Sequence, residues 1–284
     1  RDAQESRGLG DVYKRQSIVF DENLDLFCLE TANTSYIIGL ADHRTFVGHV
    51  YYGKRVRGQD LRYLLRTGEA PFVPSENERE RCSFYDTFPS EYSGNGVGDY
   101  RESSIAVRTQ AGQHAVMPTY VSYEITDQKP QLPGLPSAFD REHTAQTLIL
   151  HCRDEVLQLD VDLYYTVFEE NDMITRSVRI SNQSKEAVYL TKAYSACLDM
   201  DDDAYEMLTL HGSWARERQM DRRPLGYGKT SVGSIRGESS HQEHPFMAWM
   251  KSSTTQTSGE VYAMHFIYSC LLYTSDAADD SLRV

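Results

Sequence analysis

Between Leu157 and Phe168 the chain alternates without a break. Leu157, Leu159, Val161, Leu163, Tyr165 and Val167 are separated by Gln158, Asp160, Asp162, Tyr164 and Thr166. Side chains alternate faces along a strand, so this pattern predicts one dry face and one wet face. Asn171-Asp172 supplies a turn, and Met173 to Ile180 follows as a second strand with Ile174, Val178 and Ile180 on one face. Arg176 is the exception on that face. Ser181-Asn-Gln-Ser-Lys185 supplies another turn before a third strand from Val188 to Leu198. Together these segments predict a meander of three long antiparallel strands.

Similar short apolar runs recur upstream, at Ile18–Phe20, Leu26–Leu29, Ser35–Leu40 and Phe46–Tyr52, with Asp21-Glu-Asn23 and Ala41-Asp-His-Arg44 as turns. Val261 to Tyr268 reads as a further strand. No segment carries a long apolar stripe at helical spacing. Val56 to Leu65 is the best short helix, about two turns. The 19 tyrosines and the β-branched runs agree with an all-β chain. Strands at this spacing predict a large β-sandwich of two packed, largely antiparallel sheets. Asp127 to Arg141 holds three of the nine prolines and reads as a long surface loop.

The net charge of −13 would repel a polyanion, which makes nucleic acid a poor partner. Apolar runs such as Tyr36 to Ala41 fall far short of the roughly 18 residues of a membrane span, so no membrane partner is expected. The five cysteines (Cys28, Cys82, Cys152, Cys197 and Cys270) form no CxxC pair. They read as scattered core thiols, which favours a reducing, cytoplasmic setting.

Candidate chemistry is sparse. Asp199, Asp201, Asp202, Asp203 and Glu206 do not fit a calcium loop, because Ala204 and Leu210 stand where Gly and Glu are needed. They read as a solvated turn at a strand end. His241 and His244 belong to no HExxH motif, and no metal ligand set is expected. Gly94-Asn-Gly-Val-Gly98 follows no parallel strand and reads as a tight turn with positive φ. Glycoside hydrolysis needs two carboxylates flanking one bond, and no spacing selects a pair among the 42 acidic residues. Pattern alone leaves an enzyme module and a binding domain both open.

Two blocks of sequence go further. One is Phe84-Tyr-Asp-Thr-Phe-Pro-Ser-Glu-Tyr92 followed by Gly98-Asp-Tyr-Arg101. The other is Leu210-His-Gly-Ser-Trp-Ala-Arg-Glu-Arg218, then Arg222-Arg-Pro-Leu225 and Arg236 to Phe246. With His49 to Lys54, Gly259-Glu-Val-Tyr262 and Tyr268-Ser269, they resemble the amino-terminal domain of family 36 α-galactosidases over residues 17–269. The resemblance implies a β-supersandwich placed ahead of a (β/α)₈ barrel. The parent would be a retaining glycosidase that removes terminal α-galactosyl groups from sugars such as melibiose and raffinose. It would use two barrel aspartates and no cofactor.

The family nucleophile follows Lys-Trp. Here Trp214 and Trp249 follow Ser213 and Ala248, so this chain alone is expected to be inactive. The resemblance also implies a homo-tetramer in which a loop of this domain reaches a neighbouring subunit's sugar pocket. By position, Glu69 and Arg81 would bind substrate there. Trp214, Arg216, Arg218, Arg222 and Arg223 read as an interface to the barrel or to another subunit. Residues 1–16 and 270–284 do not match the family and read as a non-native leader and tail. A free-standing carbohydrate-binding or oligomerisation module is the competing reading.

Overall fold

The computed structural model describes residues 16–65, 67, 84–200, 204–236, 240–267, 272–277 and 281–283, the last two stretches as backbone only. Four antiparallel strands come first: β1 (Ile18–Asp21), β2 (Leu26–Glu30), β3 (Thr34–Ala41) and β4 (Phe46–Lys54). Their turns are local chemistry. Asp21 Oδ1 accepts from the amides of Asn23 and Leu24, and Asp42, His43 and Arg44 all take left-handed φ values. The Val56–Leu65 segment forms only a single 3₁₀ turn, Arg62–Leu64, not the expected two-turn helix. Leu61 is buried with Leu26, Ile37 and Val50 of the sheet, and Val56, Leu64 and Leu65 pack beside them. The segment serves as an extended cover, which a helix with one narrow stripe would not provide.

After β5 (Ile105–Thr109), the strands β6 (Thr119–Thr126), β7 (Gln146–Asp154), β8 (Leu159–Phe168) and β9 (Met173–Asn182) form an antiparallel sheet in chain order. The predicted first strand is β8, but it begins at Leu159. Residues Leu157 and Gln158 belong to the β7–β8 turn, where Asp154 Oδ1 accepts from the Leu157 amide and Gln158 has φ 54°. The third predicted strand does not join the meander. It splits into β10 (Val188–Ala193), which pairs with β5, and β11 (Cys197–Asp199). Asn182 redirects the chain here: its carbonyl accepts from Ser184 and its amide donates to Glu186 O.

The sheets β1–β4 and β6–β9 enclose one core. Phe27, Leu29 and Ile38 meet Leu148, Leu150, Val161 and Leu163, with Ile105 and Val107 of β5 among them. Each such side chain contributes about 1.5–3 kcal/mol by leaving water. The remaining strands are β12 (Tyr205–Ser213), β13 (Arg216–Pro224), β14 (Lys229–Ser234), β15 (Glu243–Lys251), β16 (Val261–His265), β17 (Leu272–Ala277) and β18 (Ser281–Arg283). They extend the expected pair of sheets with two more, ordered β13-β12-β15-β16 and β11-β18-β17-β14. Met207, Met247 and Trp249 form a second core on the inner face of the former, and Tyr262 touches Tyr52 of β4.

Residues 1–15 lie outside the described residues, and 272–277 and 281–283 of the tail form β17 and β18. Among the described residues no helix is long and apolar enough to cross a membrane. Cys28 and Cys152 are free thiols, and Cys197 is buried; burial pushes Cys28 up to about 11 and Cys152 to about 12. Cys82 and Cys270 lie outside the described residues.

In the Gly94–Gly98 turn, Gly96 and Gly98 take φ values of 76° and 104°. Gly94 is required for a different reason: a Cβ there would lie 1.7 Å from the carbonyl oxygen of Val116. Backbone atoms cannot yield as a side-chain tip can. Gly94→Ala should therefore cost about 1–3 kcal/mol, the usual range for overpacking, as read from urea unfolding. An unchanged midpoint would show that the 94–116 contact is not needed.

Candidate functional site

Glu91 sits at the centre of the sandwich with no exposed surface. The segment that carries it is laced to β4, with His49 N donating to Pro89 O and Glu91 N to Val47 O. Its Oε1 accepts from Tyr36 Oη at 2.7 Å and lies 2.9 Å from His49 Nδ1. Its Oε2 accepts from Tyr165 Oη at 2.7 Å and lies 3.1 Å from Arg176 Nη1. Register explains Arg176, the exception on its strand. It pairs directly with Tyr165 across β8 and β9, so both point into the sandwich. Arg176 donates to both phenols, at 2.9 and 3.0 Å, and stacks 4.0 Å from the Tyr165 ring centre.

Burial pushes the Glu91 carboxyl up, but Arg176, His49 and Tyr36 outweigh it and hold the group below its ordinary range. Burial also pushes the Tyr36 and Tyr165 phenols well above their ordinary values. Each member has a polar partner within the cluster, so the cluster locks the sheets together.

A second buried clamp carries the Gly98-Asp-Tyr-Arg101 motif. Arg101 donates to both oxygens of Asp99, to Asp199 Oδ2 at 3.1 Å and to Phe88 O at 2.6 Å. Asp199 is thus a buried ion-pair partner and not part of a solvated turn. Glu206 is likewise engaged, with Arg222, while Asp201, Asp202 and Asp203 lie outside the described residues.

The β12–β13 hairpin is the exposed feature. Trp214 stands at its tip, 86% exposed, and Arg216, Arg218 and Arg223 are exposed along β13, an edge strand. Arg222 differs. It donates to Glu206, Lys251 O, Ser252 O and Thr254 O, and so ties the hairpin to the β15–β16 turn. Glu69 and Arg81, the expected substrate contacts, lie outside the described residues. Among the described residues no group of three or more His, Cys, Asp or Glu side chains could hold a metal ion. A crevice bordered by Phe46, Val47, Tyr85, Ser90, Tyr92 and Cys152 offers a sugar no charged group.

Comparison with known proteins assigns this architecture. The family described as the glycosyl hydrolase family 36 N-terminal domain matches residues 45–273. The chain is 37% identical over 255 residues to the bifunctional alpha-galactosidase/sucrose kinase AgaSK of Mediterraneibacter gnavus, covering 89% of this chain and 27% of that protein. It is 37% identical over 256 residues to the alpha-galactosidase Mel36A of Lactobacillus acidophilus, covering 89% of this chain and 35% of the relative. The crystal structure of the GH36 alpha-galactosidase AgaB from Geobacillus stearothermophilus superposes with a TM-score of 0.87 at 30% identity, over 94% of this chain and 37% of that one. A structure of AgaA from the same organism, with substitutions A355E and D548N and in complex with raffinose, superposes at 0.84 with 32% identity, over 91% of this chain and 36% of that one. The chain thus spans about a third of the length of the relatives it matches.

The buried cluster makes a stability prediction. Glu91→Gln or Arg176→Met alone should cost about 3–5 kcal/mol, because each strands a buried charge or its donors. The double variant should recover much of that loss in thermal unfolding. In the unsubstituted chain the folded Glu91 value lies below the ordinary 4.5. Its contribution is therefore complete above that pH and is lost as pH falls through the folded value. Additive losses in the double variant would show that the two side chains act separately.

Proposed function

Since this chain belongs to glycosyl hydrolase family 36, as that family's N-terminal domain, we propose that it is the amino-terminal β-supersandwich of a retaining α-galactosidase. The carrying observation is the near-complete match of this chain to about a third of several α-galactosidases. Chemistry then belongs to the part of the longer protein that follows. In that reading, two aspartates of a (β/α)₈ barrel flank the bond to a terminal α-galactosyl group. One attacks and the other donates, then accepts, a proton. Melibiose- and raffinose-type sugars are the substrate class, supported by the raffinose in the AgaA structure. No cofactor enters this mechanism.

The domain's own part is to build the assembly. Two buried ion-pair clusters give it a rigid frame, which suits a surface that must present residues to a neighbour. Glu69 and Arg81 reach a neighbouring subunit's sugar pocket in a tetramer, where a carboxylate accepts and a guanidinium donates hydrogen bonds to hydroxyls. Trp214, Arg216, Arg218 and Arg223 present an aromatic and cationic edge to the barrel or a second subunit. Arg222 keeps that edge in place. The free thiols fit a reducing, cytoplasmic setting.

Two measurements test this. The purified 284-residue chain should not turn over an aryl α-galactoside; detectable turnover would place chemistry in this domain. In the longer protein, Arg81→Ala should raise KM about tenfold or more, the equivalent of a charged hydrogen bond of about 1.5–3 kcal/mol. An unchanged KM with an intact tetramer would remove Arg81 from the pocket.

A further inference from the structure

One face of the sheet β13-β12-β15-β16 has a second character. Its inner face packs on the core, through Met207, Met247 and Trp249. On its outer face His265 pairs with Phe246, and His244 lies two residues before Phe246, so both imidazoles emerge on the same side. Their ring centres are 5.6 Å apart. Arg218 lies on β13 one residue before Gln219, which pairs with His211 as Glu243 does across β12, so the register puts Arg218 and His244 on the same outer side.

The backbone is bent to bring these groups together. Arg218 has φ 54°, a left-handed value that costs a non-glycine residue energy and here accompanies a shift of the β12–β13 register between His211 and Ser213. Gly212 makes the close approach possible. A Cβ there would lie 3.0 Å from Arg218 N and 2.8 Å from His241 O, so β12, β13 and the start of β15 can close together only on a glycine. Strain of this kind persists where surrounding structure enforces it, and it gathers at binding sites.

Among the described residues no acid pairs with these three basic groups, although the chain carries a net charge of −13. The nearby carboxylates are committed elsewhere. Glu243, one residue before His244, is paired with His211; Glu206 is paired with Arg222; Glu217 accepts from the Ala215 amide. At the far end of β16, Glu260 is paired with Lys54. Of the other basic groups, Arg216 and Arg223 lie along the same strand as Arg218, and Arg223 has only a loose 3.8 Å contact with Asp221.

We propose that Arg218, His244 and His265 form a binding site for an oxyanion, a phosphate or a carboxylate, on the outer face of this sheet. The guanidinium supplies a fixed charge and a planar pair of donors. Each imidazole adds a donor, and a second charge when protonated. Burial, Arg218 and His265 together hold His244 below its ordinary value of 6.5, so it is poorly protonated while the site is empty. A bound anion reverses that balance, and binding therefore takes up protons and strengthens below neutral pH. The inference stands on the geometry of this face and does not depend on the α-galactosidase reading.

The test is a histidine NMR titration of the 284-residue chain near pH 6.5, with sodium phosphate against sodium chloride at equal ionic strength. The Hε1 resonances of His244 and His265 would be assigned through His244→Asn and His265→Asn. Phosphate, but not chloride, should shift both resonances saturably and raise the titration midpoint of His244. Arg218→Gly suits the left-handed backbone better than arginine, so this variant should fold with an unreduced Tm and bind phosphate about tenfold or more weakly. Shifts that are independent of protein concentration identify a free anion as the occupant. Shifts that depend on protein concentration, reversed by phosphate together with loss of dimer, identify a carboxylate of a second copy. Either result supports the site. No saturable shift with phosphate and no concentration dependence would overturn it, as would an unaltered phosphate response in folded Arg218→Gly.

Discussion

Everything in the sandwich is arranged around one carboxylate that has no contact with water. Removing an ionised group from solvent costs several kcal/mol, and only good geometry offsets that cost. Glu91 meets the condition with four partners drawn from both sheets: Tyr36 and His49 on one side, Tyr165 and Arg176 on the other. A hydrophobic core of similar volume would tolerate sliding of one sheet over the other. Four directional contacts on two oxygens do not, so the cluster fixes the relative position of the sheets as well as closing the core.

This explains why a protein with so much β-structure can carry charges inside it. The Asp99–Arg101–Asp199 clamp repeats the device nearer the surface and joins the 84–101 segment to β11. The two clamps share that segment, which has little regular structure of its own. Its order comes from side-chain pairing, where strands take theirs from backbone ladders. Arg222 does the same for the β12–β13 hairpin by gathering three carbonyls and a carboxylate.

The strands were legible in the sequence because period-two alternation survives wherever one face is buried, as along β8. Turn residues were legible for a similar reason, since Asp21 and Asn182 act on their immediate neighbours. What alternation does not report is which strands pair. Val188 to Leu198 reads as the continuation of β9, yet its first part, β10, crosses to β5, a pairing set by residues some 80 positions away in sequence. The 56–65 segment showed helical spacing because a flat cover over a sheet also needs apolar residues at irregular intervals. Arg176 was visible as a charge on an apolar face, and Glu91 lay within the Phe84–Tyr92 block. Their partnership was hidden, since nothing local marks one as the counter-charge of the other. The outer-face trio was hidden for the opposite reason: His244 stood out only as one of a pair with His241, whereas its spatial companion His265 comes from the next strand.

The wiring of Glu91 also bears on how the chain folds. Its partners lie 42, 55 and 74 residues away along the chain, at His49, Tyr36 and Tyr165. As the polypeptide leaves the ribosome, the carboxylate emerges with His49 and Tyr36 already available but long before Tyr165 and Arg176. Burying it at that stage would leave one oxygen without a partner, which is strongly unfavourable. The first sheet must therefore stay open to water on its inner side until β8 and β9 arrive. Closure over such sequence separations is slow, and the two halves of the sandwich are then committed in a single cooperative step.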